Sequence, residues 1–417
     1  MSMSNEQTKR DSWQHFLLRA AREISLSEPQ YSKINERYSQ LQKILSASDN
    51  PLLAEAHIFV QGSIRLQTTI KPVSGAFADM NTIDADAIIW LPHAQGVDAN
   101  EVLEAIEARF KEGSRVQEDI QPLRRGIRIV YADESPGFHI DVTPARAING
   151  NVEENGEGKL EVPDRVTGWK ASSPIPYSNW LQAASTQQIV AMDSLALNKS
   201  ERIFEAATQD PLPTYQDYLD QDPLRATIKL LKRHRDEWAI RTKNEDFRPI
   251  SAVITTLATH AYLDVVQESK SKPLRPLDAI LEIVRRMPQY IKYQANDYLV
   301  CNPKDNGENF AEKWNRPLEG ERYRQAFYAW HLSASMSVAL GLESFDSAND
   351  FAKEVKENFG MGLTFITEVN NEIPANWTMP GRLNGTTRNT ISIGAIFGGT
   401  TASESSQASI KPVERLG

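Results

Sequence analysis

The sequence predicts an α+β protein of two lobes, a mixed sheet carrying helices followed by a mainly helical half. Three observations carry that reading. Between His57 and about Ala145 the apolar residues fall in short Ile- and Val-rich runs, HIFV, IDADAIIWL, GIRIVY and FHIDVTPA, as strands require. On either side the apolar spacing is helical. A polar stretch from Asn149 to Pro163, with Asn-Gly and Glu-Gly steps, separates the halves. The 417 residues suit two domains or one large two-lobed enzyme.

Taken in order, residues 1–50 carry Phe16, Leu17, Ala20 and Ile24, then Ile34, Tyr38, Leu41 and Leu45, at helical spacing broken near Pro29. Two helices are expected there, packing on both lobes. Residues 51–165 form the sheet unit. Within it VLEAIEARF has helical spacing, and GIRIVY and FHIDV, joined through Ser-Pro-Gly, read as an antiparallel hairpin. Residues 166–375 form the helical lobe, with helices expected at Leu224–Ile240, Ser251–Val266, Leu277–Met287 and from Glu308 through Ser337. Residues 376–417 are rich in Gly, Ser and Thr and are expected to be a flexible tail.

Composition excludes several classes. Forty-six basic against 55 acidic side chains give a net charge of −9, so no global positive field draws the chain onto nucleic acid or anionic lipid. The single cysteine, Cys301, allows no intrachain disulfide and no CxxC redox or zinc site, and is expected to be structural. No apolar run approaches the roughly 20 residues of a membrane span, and the polar start lacks a signal-peptide core. A cytoplasmic protein without membrane contact is expected.

Chemistry concentrates in three places. Gln61-Gly62-Ser63 follows the first strand, where a glycine lets backbone approach a ligand and a hydroxyl with neighbouring N–H groups can hold phosphate. On the next strand the side-chain period of two puts Asp84 and Asp86 on one face and Ala85, Ala87 and Ile89 on the other. Adjacent carboxylates repel unless a cation lies between them, and oxygen ligands suit Mg²⁺. In FHIDVTPA, Phe138, Ile140 and Val142 face the core, and His139, Asp141 and Thr143 the other side. Asp141 completes the three-carboxylate set that two-metal phosphoryl transfer uses. His93, His139 and His234 lack metal-ligand spacing and are expected to be ordinary surface or strand residues.

Gly-Ser before a helix, Asp-x-Asp on the next strand and a third Asp on a later strand is the order of the polymerase-β-like nucleotidyltransferases. More closely, QGSIRLQTTIKP, IDADAII and HIDVTPA resemble the bacterial cyclic-oligonucleotide synthases, the CD-NTase group of anti-phage (CBASS) systems. Trp169 to Leu181, Arg225 to Ala258 and Asn302 to Trp314 are similar to the same group, so the resemblance covers roughly residues 55 to 330. It implies a polymerase-β-like mixed sheet and a helical lobe that closes the nucleotide cleft. It implies that Asp84, Asp86 and Asp141 hold two Mg²⁺ ions, with Mn²⁺ able to substitute, and that Asp141 also helps activate the acceptor hydroxyl. By the same resemblance Gln61, Gly62, Ser63, Lys232 and Ser251 hold the donor triphosphate. The bland alternative for Lys232 is a solvated face shared with Lys229 and Arg225.

The implied activity makes a cyclic di- or trinucleotide from NTPs, ATP among them, with release of pyrophosphate. The alternative is a nucleotidyltransferase acting on RNA or a protein, with an RNA acceptor needing a basic patch such as Lys229–Arg235 with Arg241 and Lys243. A polar Ser74–Thr82 segment makes the turn between Ser63 and Asp84 longer than a minimal version. The terminus SSQASIKPVERLG is similar to tails that a ubiquitin-transferase-like partner conjugates, which implies Gly417 as an attachment point.

Overall fold

The computed structural model describes residues 5–76, 78–113, 120–131, 136–148, 156–190, 222–374, 377 and 379. The chain opens with α1 (Asn5–Glu23) and α2 (Glu28–Ser46), parted at Ser27, whose side chain and Gln30 form a reciprocal capping box ahead of Pro29. The sheet unit follows as β1 (His57–Gln61), α3 (Gly62–Leu66), β2 (Ile83–Trp90), α4 (Ala99–Gly113), β3 (Ile120–Pro122), β4 (Ile127–Tyr131) and β5 (Phe138–Ala147). Next come β6 (Leu160–Asp164), β7 (Gly168–Ser172) and α5 (Pro174–Ser185). The helical lobe holds α6 (Pro223–Thr242), α7 (Ser251–Ser269) and α8 (Pro276–Arg286). After it run β8 (Lys292–Gln294), β9 (Asp297–Leu299), β10 (Cys301–Asn302) and β11 (Asp305–Asn309), then α9 (Gly320–Ala339), α10 (Ala348–Phe359) and α11 (Leu363–Glu372).

The main sheet has the order β1-β2-β5-β4-β3, with β6 and β7 continuing from the far end of β5. It is mixed, because β2 and β5 run parallel while the other neighbours are antiparallel. Alternation of side chains decides which residues meet which layer. Ile83, Ala85, Ala87 and Ile89 of β2, with Phe138, Ile140 and Val142 of β5, turn to one face and pack under α2 and α4. On the opposite face the far end of β2 stays apolar, where Ile88 and Trp90 meet Phe59, Leu160, Val162 and Ile175. The near end of that face carries Asp84 and Asp86 instead and opens into a cleft.

Helix α6 is the spine of the second lobe. Leu224, Ile228, Leu231 and Trp238 pack against α7, α8 and α9, while Ala226 and Leu230 meet Trp13 and Phe16 of α1. Its basic residues Arg225, Lys229, Lys232, Arg233 and Arg235 are all buried, so these five form no solvated basic face. Two expectations need correction here. Lys229 and Arg225 do not share an exposed surface with Lys232, because α1 and the chain after α3 cover that side. Nor does a helix begin at Glu308, since residues 305–309 form β11 and the long helix starts at Gly320. The side chains of Asn309 and Asn315 explain the difference. Asn309 Oδ1 accepts from the N–H groups of Val300 and Ala311, and Asn315 Oδ1 from that of Tyr298, so these backbone groups are bonded outside any helix.

Candidate active site

Strand register builds the site. Gln61 pairs with Asp86 across β1 and β2, Asp86 with Asp141 across β2 and β5, and Asp141 with Arg128 across β5 and β4. Paired residues on neighbouring strands point the same way, so these four side chains form one row across the sheet. One step along the strands, Asp84 pairs with His139. Ligand atoms of Asp84, His139 and Asp141 all lie within 4.8 Å of one another.

Electrostatics follow from that crowding. Burial, then the charges of Asp84 and Asp141, push the Asp86 carboxyl well above the ordinary carboxylate value. At Asp84, whose accessible carboxylate opens only into the cleft between the lobes, loss of bulk solvent acts the same way, but a hydrogen bond from His139 and the positive charges of Arg128 and Lys232 outweigh it and hold that group low. Arg128 donates two bonds to Asp141, from Nε to Oδ1 at 2.7 Å and from Nη2 to Oδ2 at 2.8 Å. This donor set fits a hard divalent cation. It is dominated by carboxylate oxygens, and the repulsion that raises Asp86 is relieved by positive charge placed among them.

The cleft has a volume of about 780 Å³ and is walled by both lobes. Gln61, Gly62, Ser63, Asp84 and Asp86 line it from the sheet, and Lys232 and Ser251 from the helices. The turn into α3 is tight. Gly62 has φ of +59°, and a Cβ there would overlap Asp86 Oδ2. Ser63 Oγ accepts from the Thr69 hydroxyl at 3.0 Å. Lys232 Nζ donates to the Thr68 carbonyl at 2.9 Å, and its remaining hydrogens are available to the cleft. Burial and Arg235 bring its pKa down to about 8 despite Asp236, Asp84 and Asp86. Ser251 Oγ accepts from Arg235 Nη1 at 2.9 Å. Val73 N–H donates to the Met80 carbonyl at 2.8 Å, and Met80 and Thr82 stand on the cleft wall.

The residues singled out from the sequence thus gather around one cleft, except Gly417, which lies outside the described residues along with the tail from 380 onward. Asp141 stands behind the cleft lining, beside Arg128. Of the histidines, His93 is an exposed turn residue 3.4 Å from Glu55. His234 is buried in α6 rather than at the surface, and burial pushes its pKa down to about 3. His139 is a strand residue as expected, but it is buried and bonded to Asp84 rather than ordinary. Its position two residues before Asp141 on a strand was the available signal. Arg128 and Arg235 also line the cleft. Pairing in the β4–β5 hairpin identifies the first, whereas nothing local to the sequence marks the second.

A mixed sheet with a carboxylate row faces a helical lobe across this cleft. Residues 12–184 match the family described as the Second Messenger Oligonucleotide or Dinucleotide Synthetase domain. The match to that family covers this part of the chain, and the described residues have the fold of the bacterial CD-NTases. The structure of the Bradyrhizobium diazoefficiens CD-NTase CdnG in complex with GTP is similar at 18% identity and a TM-score of 0.61, covering 86% of this chain and 98% of that one. That of E. coli MS115-1 CdnC with ATP is similar at 12% identity and a TM-score of 0.53, covering 83% and 97%. Among curated proteins no sequence matches the chain. No helix among the described residues is long and apolar enough to cross a membrane.

Proposed function

We propose that the protein is a cyclic oligonucleotide synthase, joining NTPs, ATP among them, into a cyclic di- or trinucleotide that serves anti-phage (CBASS) defence. The observation that carries this reading is the carboxylate row at the floor of a two-lobed cleft in a chain that matches the second-messenger synthetase family. A ribose hydroxyl of one nucleotide attacks the α-phosphate of another. The new P–O bond forms as the α–β anhydride bond breaks, and pyrophosphate leaves with the electron pair. Repetition and ring closure give the product.

In this reading Asp84, Asp86 and Asp141 hold Mg²⁺, which when bound supplies positive charge against the charge developing on the phosphate oxygens. Gln61, Gly62 and Ser63 hold the donor triphosphate from the sheet side. Lys232 and Ser251 hold it from the helical side, the ammonium acting as a point charge. Asp141 helps activate the attacking hydroxyl, whose proton is released as the P–O bond forms. The rest is positioning, since transfer of this kind leaves little covalent work for the protein. The basic residues of α6 favour a nucleotide acceptor over RNA. Lys229, Lys232, Arg233 and Arg235 bond inward to Ser25, Thr68, Lys71 and Ser251 rather than forming an open groove.

The test is incubation with all four NTPs and Mg²⁺, phosphatase treatment and mass analysis, beside the Asp84→Ala/Asp86→Ala variant. A phosphatase-resistant product is expected, reduced by about 10³-fold or more in the variant. Equal turnover in the variant overturns the role of the carboxylates. Pyrophosphate release without a cyclic product points to the alternative transferase.

A further inference from the structure

Asp84 presents an exposed carboxylate, its side chain 56% accessible, whereas its neighbour His139 is 4% accessible. A short exposed side chain on a strand exchanges rotamers readily, and a packed imidazole does not. His139 Nε2 lies 3.0 Å from Asp84 Oδ1, and its Nδ1 lies 3.0 Å from Thr82 Oγ1. An ionised carboxylate only accepts, so Nε2 carries the proton in this contact. In the neutral ring Nδ1 is then the acceptor and the Thr82 hydroxyl donates to it. Thr82 and Asp84 line the cleft, but His139 does not. Its nearest other carboxylate is Asp141, 3.9 Å away at Oδ1.

We propose that His139 is a positioning residue: held by Thr82, it fixes Asp84 through Oδ1 and leaves Oδ2 turned to the cation. The ring works through Asp84 and does not itself ligate. This inference rests on the reading that the carboxylates bind a divalent cation. Partners of this kind change metal affinity by about 10–100-fold when removed.

The experiment titrates Mn²⁺ alone into the full-length protein, following free Mn²⁺ by electron paramagnetic resonance. Saturable binding is expected in the wild type and its loss in Asp84→Ala/Asp86→Ala; wild-type protein that binds no Mn²⁺ overturns the cation reading and this inference together. Given that binding, His139→Ala is expected to weaken it by about 10–100-fold. His139→Gln, whose amide nitrogen takes the place of Nε2, is expected to stay within about threefold. His139→Asn, which replaces only Nδ1, is expected to behave like the alanine variant. A readout that needs no metal is the ¹⁵N spectrum of the histidine rings, where His139 is expected as the Nε2–H form and Thr82→Val to perturb it. Unchanged affinity in folded His139→Ala, or ¹⁴N coupling of bound Mn²⁺ to the ring, overturns the positioning role.

Discussion

Gly62 turns the chain from β1 into α3 in the left-handed region, with φ of +59°, and Asp86 lies where its side chain would be. Both facts forbid a side chain there, the first through backbone strain and the second through overlap with a candidate cation ligand. Gly62→Ala is therefore expected to destabilise the fold by about 1–3 kcal/mol and to lower nucleotidyl transfer more than the stability loss explains. Thermal melts and initial rates at a temperature where both proteins are folded measure the two effects separately; an unchanged rate would show that Asp86 tolerates displacement. At this scale much of the site is legible before folding. A period of two is enough to put Asp84 and Asp86 on one face and Asp141 on a compatible one. His139 obeys the same period, but spacing alone cannot show that a histidine meets a carboxylate on a neighbouring strand, because that needs the register of Asp84 with His139.

At the scale of elements, α1 attaches to the helical lobe through its aromatic face. Trp13 is fully buried, stacks on Phe16 at 4.9 Å, meets Phe351 and Phe359 edge-on, and donates from Nε1 to the Val338 carbonyl at 2.8 Å. Gly341 lets the indole lie against the chain, since a Cβ there would overlap the ring. Trp13→Ala is expected to cost about 3–5 kcal/mol. Denaturant unfolding with an unchanged m-value checks it, and a loss below 1 kcal/mol would mean that α1 is peripheral to the lobe. The same helix ends at the cleft: Lys71 N–H donates to the Ile24 carbonyl at 2.7 Å, and Ser25 bridges to Ile70. Strands β1, β2, β4 and β5 and helices α6 to α8 are legible from periodicity, because each buries a regular face. The stretch from Cys301 to Asn315 is not. Phe310, Ala311 and Trp314 have helix-like spacing there, and only long-range bonds from asparagine side chains reveal that the backbone is irregular.

At the scale of the molecule, the two lobes meet through buried cations on α6. Lys232 reaches the Thr68 carbonyl, Arg233 the Lys71 carbonyl at 2.6 Å, Arg225 the Leu66 carbonyl at 2.8 Å, and Lys229 the Ser25 hydroxyl at 2.9 Å. Enclosing these charges has a pH signature. Burial, with Lys232 nearby, brings Lys229 down to about 7 from an ordinary 10.5, and Lys232 itself falls to about 8. Between those values and 10.5 the unfolded chain binds more protons than the folded one, so this contribution to stability rises with pH from about 7. The opposite sign applies above pH 10. Burial raises the phenols of Tyr31, Tyr177 and Tyr262, so the folded chain retains protons that the unfolded chain releases, and stability falls. Lys229→Met removes the larger lysine shift without stranding Ser25, whose hydroxyl still donates to the Ala21 carbonyl at 2.7 Å. At pH 7 the variant is expected to melt about 2 °C or more above the wild type, with the gap closing by pH 10. Melting curves at half-unit pH steps decide it. A variant that melts lower at pH 7 would mean that the ammonium's bond to Ser25 and the field of Asp222 outweigh its desolvation, making Lys229 a net tie between the lobes.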